Sequence, residues 1–169
     1  MKLMTKCFIS LLLFSVTTTF ASEPVQNSYG YLGIGVGPLP FPIPNFQGGF
    51  RQQQGHHGWD FSAQVATIGC ATDIKGNALY LYYFKPNLSS QFYAGGGMAL
   101  SYLWAHGFRG KPGDMFMAPE FVFGKEYLNE SNDRRFVQVQ IDWLAANLSH
   151  FPRHSTFMPL VVFSYGIGF

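Results

Sequence analysis

Charge is scarce in this 169-residue chain, where only 12% of residues are Asp, Glu, Lys or Arg. Eleven basic against nine acidic side chains leave a formal +2, too small a bias to draw in nucleic acid. Cysteine is nearly missing: Cys7 and Cys70 are the two present. Long apolar runs are missing too. Beyond residue 20 no stretch of about eighteen apolar residues occurs, so no transmembrane helix is expected. What the chain has in quantity is hydrophobic surface (47%), aromatic rings (18%) and 19 glycines, a mixture that excludes a disordered tail and an ordinary highly charged surface. The length suits one domain.

Residues 1–21 have the three-part layout of a secretory signal peptide. Lys2 and Lys6 precede an uncharged run from Cys7 to Phe20, and Thr19-Phe20-Ala21 puts small residues at the positions a cut after Ala21 requires. Removal of this segment leaves 148 residues with nine basic and nine acidic side chains, and Cys70 as the one cysteine. An intramolecular disulfide is then excluded, and the exported domain must hold together by other means. Residues 22–28 read as a short N-terminal segment ahead of a domain over 29–169.

Period-two alternation dominates that domain. Trp59, Phe61, Ala63 and Val65 share one face against Asp60, Ser62 and Gln64; Val137, Val139, Ile141 and Trp143 oppose Gln138, Gln140 and Asp142. Eight strands are predicted, over 29–37, 45–53, 58–69, 77–85, 91–104, 115–127, 134–144 and 157–169, separated by turn-forming clusters such as Lys85-Pro86-Asn87. The 45–53 segment could be loop, leaving seven. An even count returns both ends of the sheet to one side, as single-chain bacterial barrels require.

Alternation fits a soluble barrel with its greasy face inward and a membrane barrel with that face outward. Three features choose the second. Eighteen charges on 148 residues would hydrate a soluble exterior poorly. The polar face is rich in Gly and Gln, which suit a narrow lumen. Aromatics gather near predicted strand ends, at Tyr29, Tyr31, Tyr83, Phe84, Phe92, Tyr93, Trp104, Tyr127, Trp143, Phe157 and Phe169, as in the girdles of membrane barrels. The expected fold is therefore an all-β, eight-stranded antiparallel up-and-down transmembrane barrel.

The final strand carries the most specific motif. Val161, Phe163, Tyr165, Ile167 and Phe169 form an apolar row interleaved with Ser164, Gly166 and Gly168. With the signal peptide, this row resembles the terminal recognition sequence of the small outer-membrane β-barrel family, of the OmpX and OmpA membrane-domain type. The resemblance implies residence in a Gram-negative outer membrane, contact with its lipid, and recognition of the terminal row by the barrel-assembly machinery. It also implies short periplasmic turns and longer outer loops: 85–90 and 128–133, with Gln52–His57, on the periplasmic side, and 38–44, 70–76, 105–114 and 145–156 outside. The run Pro38-Leu39-Pro40-Phe41-Pro42-Ile43-Pro44 departs from the family pattern; it is either a rigid docking loop or a stiff connector.

An eight-stranded barrel is just wide enough for side chains to fill it. Strand parity assigns Arg51, Asp60, Gln64, Glu120, Gln138, Gln140 and Asp142 to the lumen, where charges must pair; Arg51 is expected against Glu120 or Asp142 as a structural plug. No catalytic, metal or cofactor site is expected. His150 and His154 have ligand spacing, but Pro152 lies between them; His56 and His57 are neighbours that would face opposite sides of a strand. The main functional reading is a structural or surface-interaction barrel whose surface ligand the sequence does not name. A narrow channel for small or apolar solutes is the alternative. A lipid A-modifying enzyme is the third, drawing on Ser149, His150, His154, Ser155 and Glu120.

Overall fold

The computed structural model describes residues 27–37, 42–67, 71–86, 89–105, 113–128, 133–143, 146–147 and 160–169. The strands are β1 (Asn27–Val36), β2 (Pro44–Gln54), β3 (His57–Thr67), β4 (Ala71–Tyr83), β5 (Ser90–Ala105), β6 (Asp114–Leu128), β7 (Arg134–Asp142), β8 (Ala146–Asn147) and β9 (Leu160–Gly168). Each pairs antiparallel with its neighbour, and β1 closes on β9 from Tyr31↔Gly168 to Val36↔Phe163. The two-residue β8 continues the path of β7 along β6, so the wall is a closed antiparallel barrel of eight strands.

Local chemistry explains two details of the described ladder, a tight turn and a register slip. At the β2–β3 hairpin, Gln54 pairs with His57 and the loop is Gly55-His56; Gly55 has φ of 57°, which the primed two-residue turns demand at that position. Between β7 and β8 the register against β6 slips by one residue, from Glu120↔Asp142 to Met117↔Ala146. Pro119 lies in that gap. Its carbonyl accepts from the Trp143 amide (2.8 Å), but its own nitrogen has no proton to return, so the ladder is interrupted there.

The burial pattern is inverted relative to a soluble barrel. Val137, Phe163, Phe121 and Phe123 are exposed on the outer wall, while Arg51, Asp60, Glu120 and Glu126 are sealed inside. Inward glycines make room for rings. A Cβ on Gly49 would lie 2.7 Å from the Tyr31 ring and one on Gly124 2.5 Å from that of Tyr93, while Gly166 sits beneath Phe136.

Two expectations need correction. The fourth strand begins at Ala71 rather than 77, which removes the 70–76 loop and leaves 68–70 as the connection. Asp73, Lys75 and Asn77 look like loop residues in sequence, yet they share the inward parity of Leu79 and Leu81. The tyrosines 29, 31, 83 and 93 are not girdle residues: all four are buried in the lumen, because their hydroxyls reach buried polar side chains. Phe84, Phe92, Trp104, Tyr127, Trp143 and Phe169 do face outward; Phe157 lies outside the described residues. The 45–53 segment is strand, within β2.

Candidate functional site

The lumen holds two polar clusters at different heights. The first stands near the end of the barrel that carries the β2–β3 turn. Arg51 and Asp60 are register partners on β2 and β3, and their side chains form an ion pair in which Arg51 Nε donates to Asp60 Oδ2 at 2.6 Å. Arg51 Nη2 donates to Gln138 Oε1 on β7 (2.9 Å), and Nη1 faces Glu126 Oε2 on β6 at 3.5 Å. The guanidinium lies between aromatic faces, 4.7 Å from the ring centres of both Tyr93 and Phe136 and 5.4 Å from that of Tyr31. A delocalised, weakly hydrated cation is the kind that tolerates such an enclosure.

Tyrosine hydroxyls occupy the remaining acceptors. Tyr31 donates to Asp60 Oδ1 (2.8 Å), Tyr29 to Glu126 Oε2 (2.8 Å) and Tyr93 to Gln138 Oε1 (2.7 Å). Arg134 donates to the other oxygen of Glu126. Arg51, Asp60, Glu126 and Arg134 sum to zero charge. Below them, Gln53 and Gln91 exchange two amide hydrogen bonds of 3.1 Å across the bore.

The second cluster lies farther from the turns: Lys75, Glu120 and Asp142 each stand eight residues from the turn-side end of their strand. Lys75 Nζ is 2.9 Å from both Asp142 oxygens and from Glu120 Oε2. Gln140 donates to Glu120 Oε1 (2.8 Å), Gln64 donates to Gln140 Oε1 (2.8 Å), and Gln47 accepts from Gln64 at 3.3 Å. This cluster has two carboxylates for one ammonium. It borders a cavity of about 50 Å³ lined by Asn45, Asp73, Leu160 and Val162.

All seven residues assigned to the lumen from parity are buried inside the barrel. The expected pairing is not found: Arg51 meets Asp60 and Glu126, while Glu120 and Asp142 meet Lys75. Residue separation along the tilted strands puts Glu126, not Glu120, level with Arg51. Lys75 escapes strand parity because its segment resembles a loop in sequence, and Glu126 shares the parity of Glu120 on β6, a signal present in the sequence. Tyr29, Tyr31, Tyr83 and Tyr93 do not announce themselves as lumen residues in sequence, because tyrosine suits either wall.

The other candidates divide by position. His56 Nδ1–H donates to the Tyr83 carbonyl (2.8 Å) and its ring stacks on Tyr82; His57 hydrogen-bonds the Tyr80 hydroxyl. Among the described residues no group of His, Cys, Asp and Glu has metal-site geometry. Cys70, Ser149, His150, His154, Ser155 and residues 38–41 lie outside the described residues. From the proline run, Pro44 opens β2 opposite Val36, and the Ile43 carbonyl accepts from the Gly37 amide (3.0 Å).

No protein-family model matches the chain, and no curated protein matches it in sequence. Solved structures do match in fold. The chain is similar to the N-terminal β-barrel domain of Pseudomonas aeruginosa OprF, with TM-score 0.62 and 11% identity over 86% of this chain and 100% of that one. It is likewise similar to Neisserial surface protein A, with TM-score 0.62 and 9% identity over 86% of this chain and 97% of that one. At these identities the likeness is one of fold: the small eight-stranded barrel of the OmpA/OmpX type.

Proposed function

We propose that the chain is an integral outer-membrane barrel with a structural or surface-interaction role, exported by a signal peptide cleaved after Ala21 and resident in the outer membrane of a Gram-negative bacterium. The observation that carries this reading is the inversion of the wall: exposed aromatic and aliphatic side chains outside, ion pairs and glutamines inside. Exposing that apolar outer surface to water is unfavourable, whereas acyl chains match it. The outward row of Phe163, Tyr165, Ile167 and Phe169 on β9 and after it, continued by Val161, supports recognition by the barrel-assembly machinery.

Gel migration with and without boiling tests the membrane reading. Protein extracted from membranes by detergent is expected to run in two forms, a compact one that converts to the extended one on boiling. Recovery from the soluble periplasmic fraction with a single mobility would overturn it.

The lumen favours a closed barrel over a channel. A solute crossing it would have to displace both the Arg51 and the Lys75 clusters, and separating buried ion pairs costs several kcal/mol per uncompensated charge. Planar bilayers containing the purified protein are expected to show no single-channel steps; regular steps would establish the channel reading.

A further inference from the structure

The strands carry five Lys and Arg residues and six carboxylates, distributed unequally between the two faces. Asp60, Asp73, Asp114, Glu120, Glu126 and Asp142 all stand on the inward parity of their strands. Arg51, Lys75 and Arg134 also point inward and pair with carboxylates there. Lys125 and Arg135 are the exceptions. Both have outward parity, at the turn-side ends of β6 and β7.

They are also neighbours. Lys125 is in register with Val137 and Arg135 with Tyr127, which makes the two cations diagonal partners with Cβ atoms roughly 7–8 Å apart. Among the described residues neither forms an ion pair, and the outer faces of the strands offer no carboxylate to either. The Lys125 ammonium instead lies over the rings of Tyr127 (4.7 Å) and Phe92 (4.9 Å), and Phe92 stacks on Phe123 (6.1 Å). The exposed acid closest in sequence, Asp133, belongs to the connection before β7.

We propose that Lys125, Arg135 and Tyr127 hold the phosphate of an anionic phospholipid in the leaflet on the turn side of the barrel. This rests on the membrane reading above. Arg135 offers a planar fork to two phosphate oxygens, Lys125 a point charge and Tyr127 a hydroxyl. Phe123, two residues farther from the turn than Lys125 and stacked on Phe92, lies on the side toward the bilayer centre and receives the upper part of an acyl chain. A zwitterionic headgroup brings its own ammonium toward two unpartnered cations, so the site discriminates against it by repulsion.

Native mass spectrometry of the folded, full chain released from detergent micelles tests this with phosphatidylglycerol and phosphatidylethanolamine at equal concentration. The wild type is expected to retain phosphatidylglycerol roughly tenfold better, and the Lys125→Gln, Arg135→Gln double variant to retain both equally. Lys85→Gln, at the β4–β5 connection, is expected to keep the preference. Arg135→Gln alone, an exposed change, is expected to lose part of it; boiling-dependent migration verifies that each variant is folded. Equal retention of both lipids by a wild type that shows the two-form migration overturns this proposal alone, as does a preference that survives in the double variant. A chain that stays soluble without detergent and has one mobility overturns the membrane reading and this site together.

Discussion

The two charged clusters of the lumen solve one problem in different ways. Around Arg51, two cations meet two carboxylates, and the guanidinium is walled by Tyr31, Tyr93 and Phe136. Around Lys75, one ammonium meets two carboxylates, and a chain of glutamines rather than rings surrounds them. The first is neutral and has aromatic cover; the second is acidic and borders a small cavity. The contrast follows from the cations themselves. A planar fork reaches partners on β3, β6 and β7 at once while its flat faces lie against rings, whereas the Lys75 ammonium is a compact charge whose three protons are taken up by the oxygens of Glu120 and Asp142.

The sharpest way to break the contrast is Arg51→Met. Asp60 and Glu126 would lose their shared partner inside a sealed space, and removing one member of a buried pair costs about 3–5 kcal/mol. Unfolding in urea, followed by loss of the compact gel form, is expected to move to much lower denaturant, and Arg51→Lys is expected to recover little of it. Lys75→Met should cost less, about 3 kcal/mol, since Glu120 keeps the Gln140 amide as a donor; adding Glu120→Gln should restore part of the loss, giving a non-additive double-mutant cycle. Gly124→Val tests the aromatic cover specifically. The added side chain meets the Tyr93 ring, and overpacking of this kind costs about 2 kcal/mol. The smallest effect is expected for Tyr31→Phe, which removes one hydrogen bond to a carboxylate that keeps its arginine, about 1.5 kcal/mol in the same assay.

Much of this architecture is legible in the sequence where the two faces differ in kind. β3 and β7 alternate cleanly between apolar and polar residues, and their inward residues Asp60, Gln64, Gln138, Gln140 and Asp142 follow directly from parity. β4 is harder. Its inward side runs Asp73, Lys75, Asn77, Leu79, Leu81, Tyr83, so polarity changes halfway along one face and the polar half imitates a loop. β1 hides its sense differently: Tyr29 and Tyr31 face inward and Leu32 and Ile34 outward, and hydrophobicity alone does not separate them. The pairing of charges is less accessible still. Which carboxylate meets Arg51 depends on strand tilt and stagger, which set relative height across the bore, and neither quantity is written in one strand's pattern.

The proline at position 119 gives the cylinder a built-in seam. Every other stretch of the β6 edge is sewn to its neighbour in unbroken register, but here one stitch is dropped and the thread resumes a residue out of step. Heat or denaturant should part the wall first along this line, on the half of the barrel away from the tight turns. Amides of β8 should therefore exchange with solvent sooner than those lower on β7.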